Sequence, residues 1–285
     1  MAEPLHCDVA IVGAGIAGSA LALALSGHGM SIVVIEAQPH DAAALPSGLA
    51  LEDFDPRVVA LNPRSQALLA QWGAWQGVAD YRSCAYRHMT VWDADGTGAI
   101  DFDCSDVGAA ALGHIVENRA LVQSLGSQLQ TCADVRMLAP ERLQACRRDV
   151  AGAMLLELES GRQLRAGLAV AADGANSRVR ELLDFRTREW DYGHHAIVAT
   201  VQVEHDHGAT AWQRFLPTGP LAFLPLPGTD GAHYCSLVWS VDSAQVEGLM
   251  ALAGPEFCSA LERAFEQRLG RVLDCSRRHC FPLRQ

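Results

Sequence analysis

The sequence predicts an α/β fold in which a Rossmann-like dinucleotide-binding domain is interleaved with an antiparallel-sheet (α+β) domain. Three observations carry that expectation. The first thirty-odd residues repeat the β-α-β pattern around a glycine-rich turn. A second apolar strand near residue 170 ends on another glycine and acid. From about residue 190 the texture changes to alternating, strand-like runs.

Val9, Ala10, Ile11 and Val12 form a continuous apolar run, the pattern of a parallel strand buried on both faces. Next comes GAGIAG: Gly13, Gly15 and Gly18 stand at GxGxxG spacing, with Ala14, Ile16 and Ala17 between them. The first glycine permits the tight turn, the second lets a pyrophosphate approach the backbone, and the third lets helix and strand pack closely. A helix over about 16–25 then offers its N–H groups and positive dipole end to that anion. Ala22 and Leu25 share a face with Gly18, and Gly27 and Gly29 are placed to end the helix. Residues 31–35 read as the second strand. Glu36 stands at its C-terminal end, eighteen residues past Gly18, close to the roughly twenty expected of an acid that binds a ribose 2′-OH. A glycine motif alone also fits a simple strand-to-helix turn; the complete βαβ setting favours a bound adenine dinucleotide. Because Glu36 would repel a 2′-phosphate, FAD or NAD fits the adenosine end better than NADP.

The bulk properties bound the function class. The 285 residues are 49% hydrophobic and 19% charged, an ordinary globular composition with enough chain for one or two domains. A formal net charge of −11 argues against nucleic acid as a partner. Nine scattered cysteines with no C-x-x-C pair read as reduced thiols in a cytoplasmic protein. MAEPLHCDVA has neither a basic n-region nor a long apolar stretch, so no signal peptide is expected. No run approaches the roughly twenty apolar residues of a membrane span, although contact with a membrane surface stays open.

The remaining elements follow in order. Residues 37–56 read as loop. Asn62 or Pro63 begins a helix with Leu68, Leu69 and Trp72 on one face, stopped near Gly73. MTVWDADGTGAIDFD reads as a hairpin turning at Asp95-Gly96. HIVENRALVQSLGSQL is a strand end followed by a helix, with Asn118 as cap. MLLELESGRQLRAGLAVAADG is a second hairpin, with Ser160-Gly161 at its turn, and it runs into Asp173-Gly174. Ser177, Arg178 and Arg180 start a helix after that pair. HHAIVATVQVEH, WQRFLPTGPLAFLPLP and HYCSLVWSV alternate like antiparallel strands, and FCSALERAFEQRL is an amphipathic helix. The expected division is 1–75 and 111–188 for the dinucleotide domain, with 76–110 and 189–285 for the other.

Taken alone, Asp173-Gly174 is a turn and Ser177 a helix cap. Together with the glycine loop, these stretches resemble the flavoprotein aromatic hydroxylases of the para-hydroxybenzoate hydroxylase type, in the branch of ubiquinone-biosynthesis ring hydroxylases. The resemblance covers essentially the whole chain. It implies a Rossmann-like FAD-binding domain interleaved with an antiparallel-sheet substrate domain. It further implies that Gly13, Gly15 and Gly18 bind FAD, that Glu36 binds its ribose, and that Asp173 and Gly174 lie where FAD meets a nicotinamide coenzyme. RVVALNPRSQALLAQWGAW resembles the family stretch whose arginine, here Arg57, reaches the cofactor. GHIVENRALV resembles the one whose arginine, here Arg119, contacts the FAD side. The runs VWDADGTG, LGHIVEN, WDYGHHAIVAT and AFLPL look most like the bacterial branch acting at ring position C5 of a polyprenylphenol.

The implied reaction is hydroxylation of an apolar aromatic ring, a polyprenylphenol, with O₂ and NAD(P)H as transient co-substrates. It needs no triad and no metal, because the flavin carries the hard step. The family's third motif, Gly-Asp-Ala-Ala-His, does not occur before Gln285. The chain therefore reads as C-terminally shortened, expected to retain FAD weakly and to hydroxylate little. Two alternatives stand beside this reading: a flavin reductase or dehydrogenase on the same scaffold, and a non-catalytic binding or assembly module. The implied setting is cytoplasmic, with peripheral contact to the inner membrane, a ubiquinone-synthesis complex or a second copy of the chain left open. His194-His195 and His205-Asp206-His207 lack a metal-ligand set, and Trp190, Trp212 and Trp239 read as core or cavity wall.

Overall fold

The computed structural model describes residues 3–39, 45–228 and 231–284. Its described residues form two compact units, one made of 3–39, 68–77 and 120–187, the other of 45–67, 78–119 and 188–284.

The first unit is built on a six-stranded sheet. In spatial order its strands are Val135–Leu138, Ile32–Ile35, Leu5–Val12, Gln163–Ala171, Met154–Leu158 and Leu143–Arg148. The first four run parallel and the last two fold back antiparallel. Continuous apolar runs fill the centre because a parallel strand covered on both faces has no wet side: Ile11, Val34 and Leu164 are fully buried. The helix Ile16–Leu25 covers the predicted residues, and Gly27 and Gly29 follow it at φ +80° and +75°, conformations that suit glycine. The hairpin at Ser160-Gly161 also forms as read. The strands 135–138 and 143–148 were not anticipated.

The second unit carries a mixed sheet. Its strand order is Val272–Cys275, Asp191–Val203, His233–Asp242, Gly219–Leu226, Thr210–Leu216, His88–Asp93 and Ala99–Asp103, and His279–Arg284 also pairs with Asp191–Val203. The 88–103 hairpin forms about the expected turn, with Val91 opposite Ile100, and joins the sheet through a parallel pairing with 210–216. One face packs on the amphipathic helix Gly254–Ala264, where Phe257 and Leu261 meet Ile197, Leu237 and Trp239. A small sheet of Val58–Leu61, Gly113–Glu117 and Ser83–Tyr86 completes the unit. Of the three tryptophans read as core, Trp239 is buried and Trp212 packs against the same cluster, but Trp190 is 51% exposed. Trp190 stands just before the 191–203 strand begins, ahead of the stretch whose alternation buries side chains. Among the described residues no helix is long and apolar enough to cross a membrane.

Candidate dinucleotide site

Within the first unit, the C-terminal ends of Leu5–Val12, Ile32–Ile35 and Gln163–Ala171 bring Gly13, Glu36 and Asp173 to one edge of the sheet. This is where open α/β sheets hold ligands. The three glycines of the loop have different reasons to be glycine. Gly13 sits at φ +101°, and a Cβ there would overlap the Ala172 carbonyl oxygen. A Cβ on Gly18 would overlap the Gly13 carbonyl oxygen. Gly15 is unlike both. Its φ of −67° suits any residue, and a Cβ would have nothing within 4 Å. The fold itself does not require glycine at 15, and the space over it is open.

The helix that begins there is left open for an anion. The N–H groups of a first helical turn have no intrahelical acceptor. Gly15, as N-cap, supplies no side chain to cap them, and the first turn carries no acid. A pyrophosphate at this end meets unsatisfied donors and the positive dipole end together. Ala14 is buried, whereas Gly15 and Ala17 are exposed and Ile16 is half-buried.

Glu36 closes one side. Its Oε2 accepts the Ala14 N–H at 2.7 Å and its Oε1 accepts the Gln38 N–H at 2.8 Å. Each carboxylate oxygen has capacity beyond one donor, so acceptor positions remain for ribose hydroxyls. Asp173 is bound differently. It accepts the Ser177 hydroxyl at 2.5 Å and the N–H groups of Arg178 and Val179 at 2.6 and 3.2 Å, while Ser177 Oγ accepts the Arg180 N–H at 3.1 Å. Those bonds cap the helix Arg178–Leu182. Gly174, at φ +82°, is exposed beside it. A cleft of about 320 Å³ joins these pieces, with Gly13, Glu36, Ala37, Arg142, Leu143 and Asp173 in its lining.

Arg57 and Arg119 lie in the second unit. The Arg57 guanidinium is exposed and has no partner among the described residues. Arg119 is engaged: its Nε donates to Glu117 at 2.7 Å and its fork also reaches the Asp53 carbonyl. Sequence reading missed the group that holds this region. Arg82 and Glu117, with side chains 5% and 1% exposed, pair at 2.8 Å. Arg82 also donates to the carbonyls of Pro46, Gly48 and Asp53. Asp55 accepts the N–H groups of both Arg57 and Arg119, at 2.9 and 3.0 Å. Burial, with the Glu117 charge acting in the same direction, pushes the adjacent Tyr81 phenol up. Thirty-five residues separate Arg82 from Glu117, so no local pattern announces the pair.

His194 Nε2 lies 3.0 Å from Asp242, and His195 Nδ1 lies 3.1 Å from the Ser243 hydroxyl, so the adjacent histidines turn to different partners. All nine cysteines are free.

Residues 6–268 match the sequence family described as FAD binding domain, and the chain belongs to that family. FAD is the cofactor. The chain is 35% identical over 268 residues to the 3-demethoxyubiquinol 3-hydroxylase of Escherichia coli, a match that takes in 93% of this chain and 65% of that protein. It is 37% identical over 277 residues to the ubiquinone hydroxylase UbiL of Rhodospirillum rubrum, covering 93% of this chain and 59% of the relative. The chain therefore spans less than two thirds of the length of these curated relatives. Among solved structures, PqsL of P. aeruginosa in complex with 2-aminobenzoylacetate superimposes with a TM-score of 0.77 at 25% identity, over 98% of this chain and 74% of that one. The resemblance to ubiquinone-pathway ring hydroxylases is borne out. The comparisons do not single out the C5 branch.

Proposed function

We propose that this chain is the FAD-binding and substrate-binding part of a flavin-dependent monooxygenase that hydroxylates the aromatic ring of a polyprenylphenol intermediate in ubiquinone biosynthesis. NAD(P)H and O₂ are its co-substrates. The observation that carries the reading is the similarity to two named ubiquinone hydroxylases over 93% of the chain. The open space over Gly15, at an uncapped helix start, supports it.

In this reading the backbone of Gly13, Ala14, Gly15, Ile16, Ala17 and Gly18 receives the pyrophosphate, and Glu36 accepts the ribose hydroxyls. Asp173 and Gly174 shape the neighbouring edge, with Asp173 acting through the helix it caps. The resemblance assigns cofactor contacts to Arg57 and Arg119. Within the second unit the Arg57 guanidinium has no partner among the described residues, and the Arg119 fork is shared with Glu117. Bound FAD supplies the redox and oxygen chemistry, and the chain supplies binding, orientation and exclusion of water.

The test is turnover of a polyprenylphenol under ¹⁸O₂ with NAD(P)H. Labelled oxygen in whatever hydroxylated product forms is expected, with more NAD(P)H consumed than product made. Substrate reduction without label would replace the reading with a reductase.

A further inference from the structure

We propose that Arg142 is the adenine-recognition residue of the dinucleotide site, its guanidinium plane stacking on the base. This rests on the reading that the glycine loop and Glu36 hold an adenine dinucleotide. The ligand's own connectivity sets the direction. With the pyrophosphate at the start of the helix Ile16–Leu25 and the ribose hydroxyls on Glu36, the base is bonded to the sugar carbon next to the 2′-hydroxyl. It therefore lies past Glu36, on the side away from the loop.

The cleft wall on that side is residues 141–143. It is tied directly to the acid: the Glu141 N–H donates to the Glu36 carbonyl at 2.7 Å. Leu143, 7% exposed, gives the wall an apolar footing. The Arg142 carbonyl accepts the Glu159 N–H at 2.9 Å, which fixes the residue from the hairpin side. The backbone is thus held at Glu141 and at Arg142 while the Arg142 side chain is exposed.

The charges around it leave the guanidinium free. Four acids line the cleft. Glu36 accepts from Ala14 and Gln38, and Glu141 from the Ser160 hydroxyl at 2.7 Å and from Arg162 at 3.4 Å. Asp173 is spent on its helix cap, and Glu159 also stands in the lining. The other cation of the cleft, Arg178, pairs with Glu181 at 2.7 Å. Among the described residues Arg142 is the one lining cation without a hydrogen-bond or ion-pair partner. A planar cation on a flexible stem beside an apolar wall suits the face of an aromatic base.

The experiment is calorimetric titration of the protein, Arg142→Ala and Arg142→Lys with ADP and with FAD, alongside the ligand-free Tm. Arg142→Ala should weaken both ligands about twofold to fivefold, the scale of an exposed cation–π stack. Its Tm should stay within about 1 °C of the parent, because the side chain supports nothing in the fold. Arg142→Lys should recover less than half of the loss, since an ammonium has charge without a plane. Unchanged affinity in Arg142→Ala, or full recovery in Arg142→Lys, would overturn the assignment. Parent protein that binds neither ADP nor FAD would overturn the dinucleotide reading itself, and this inference with it.

Discussion

Replacing Gly15 with valine should separate what the fold needs from what the ligand needs. The backbone at 15, φ −67° and ψ −175°, admits a β-branched residue, and a Cβ meets nothing within 4 Å. The cost to the ligand-free protein is the loss of a favourable capping residue, about 1 kcal/mol. For a chain of this size that lowers Tm by roughly 2–4 °C. The ligand fares worse. In the proposed site, two methyl groups would fill the space through which the pyrophosphate reaches the helix N–H groups. Losing two such charge-assisted bonds, each worth roughly 1.5–3 kcal/mol, weakens FAD by about a hundredfold or more. The contrast is with Gly13→Ala and Gly18→Ala. There a Cβ overlaps main-chain carbonyl oxygens, so the fold itself should lose on the order of 3 kcal/mol. Thermal unfolding of the ligand-free proteins and FAD titration by flavin fluorescence measure both quantities. A Gly15→Val protein that binds FAD as the parent does would reduce the loop to a turn and refute the reasoning.

Further outcomes follow from the same geometry. Glu36→Ala should weaken FAD about tenfold or more, through the ribose contacts. It should also lower ligand-free stability by about 1–3 kcal/mol, because the buried Ala14 N–H loses its acceptor; equal Tm values would contradict this. Glu117→Gln leaves Arg82 buried without its counter-charge and should cost roughly 3–5 kcal/mol in denaturant unfolding. The thiols give a pH signature. Burial pushes Cys84 up to about 11 and Cys275 up to about 12. The folded protein therefore holds these protons at a pH where the unfolded chain, near pKa ~8.5, has released them. That stability is complete below the unfolded value and is lost as pH rises through 11 to 12. Urea midpoints that stay level from pH 8 upward would exclude the effect.

Much of the nucleotide-binding half could be read from residues alone because its signals are local. The run from Val9 to Glu36 contains a strand, a turn, a helix and a strand within one unbroken pattern, and the helix covers the expected residues. The 88–103 hairpin was legible for the same reason, alternation around Asp95-Gly96. Strands 135–138 and 143–148 escaped because VRML and LQACRR are short, and their outward positions carry charge. The helix Trp75–Tyr81 escaped because Gly73 correctly ends the one before it, and WQGVADY has only Val78 to bury. The parallel pairing of His88–Asp93 with Thr210–Leu216 is a contact between residues more than a hundred positions apart, and no window of sequence holds it. At the site, glycine spacing and Glu36 were legible, while Arg142 was not: an exposed arginine between an acid and a leucine becomes informative only when folding sets it beside Glu36.

The most direct test of the account is titration of the purified protein with FAD, followed by competition with ADP. Binding of one FAD per chain, displaced by ADP and weakened about a hundredfold or more in Gly15→Val, is the expected result. No binding, or binding that ADP does not displace and Gly15→Val does not disturb, would contradict the assignment of the glycine loop and Glu36 to the adenosine half of the cofactor.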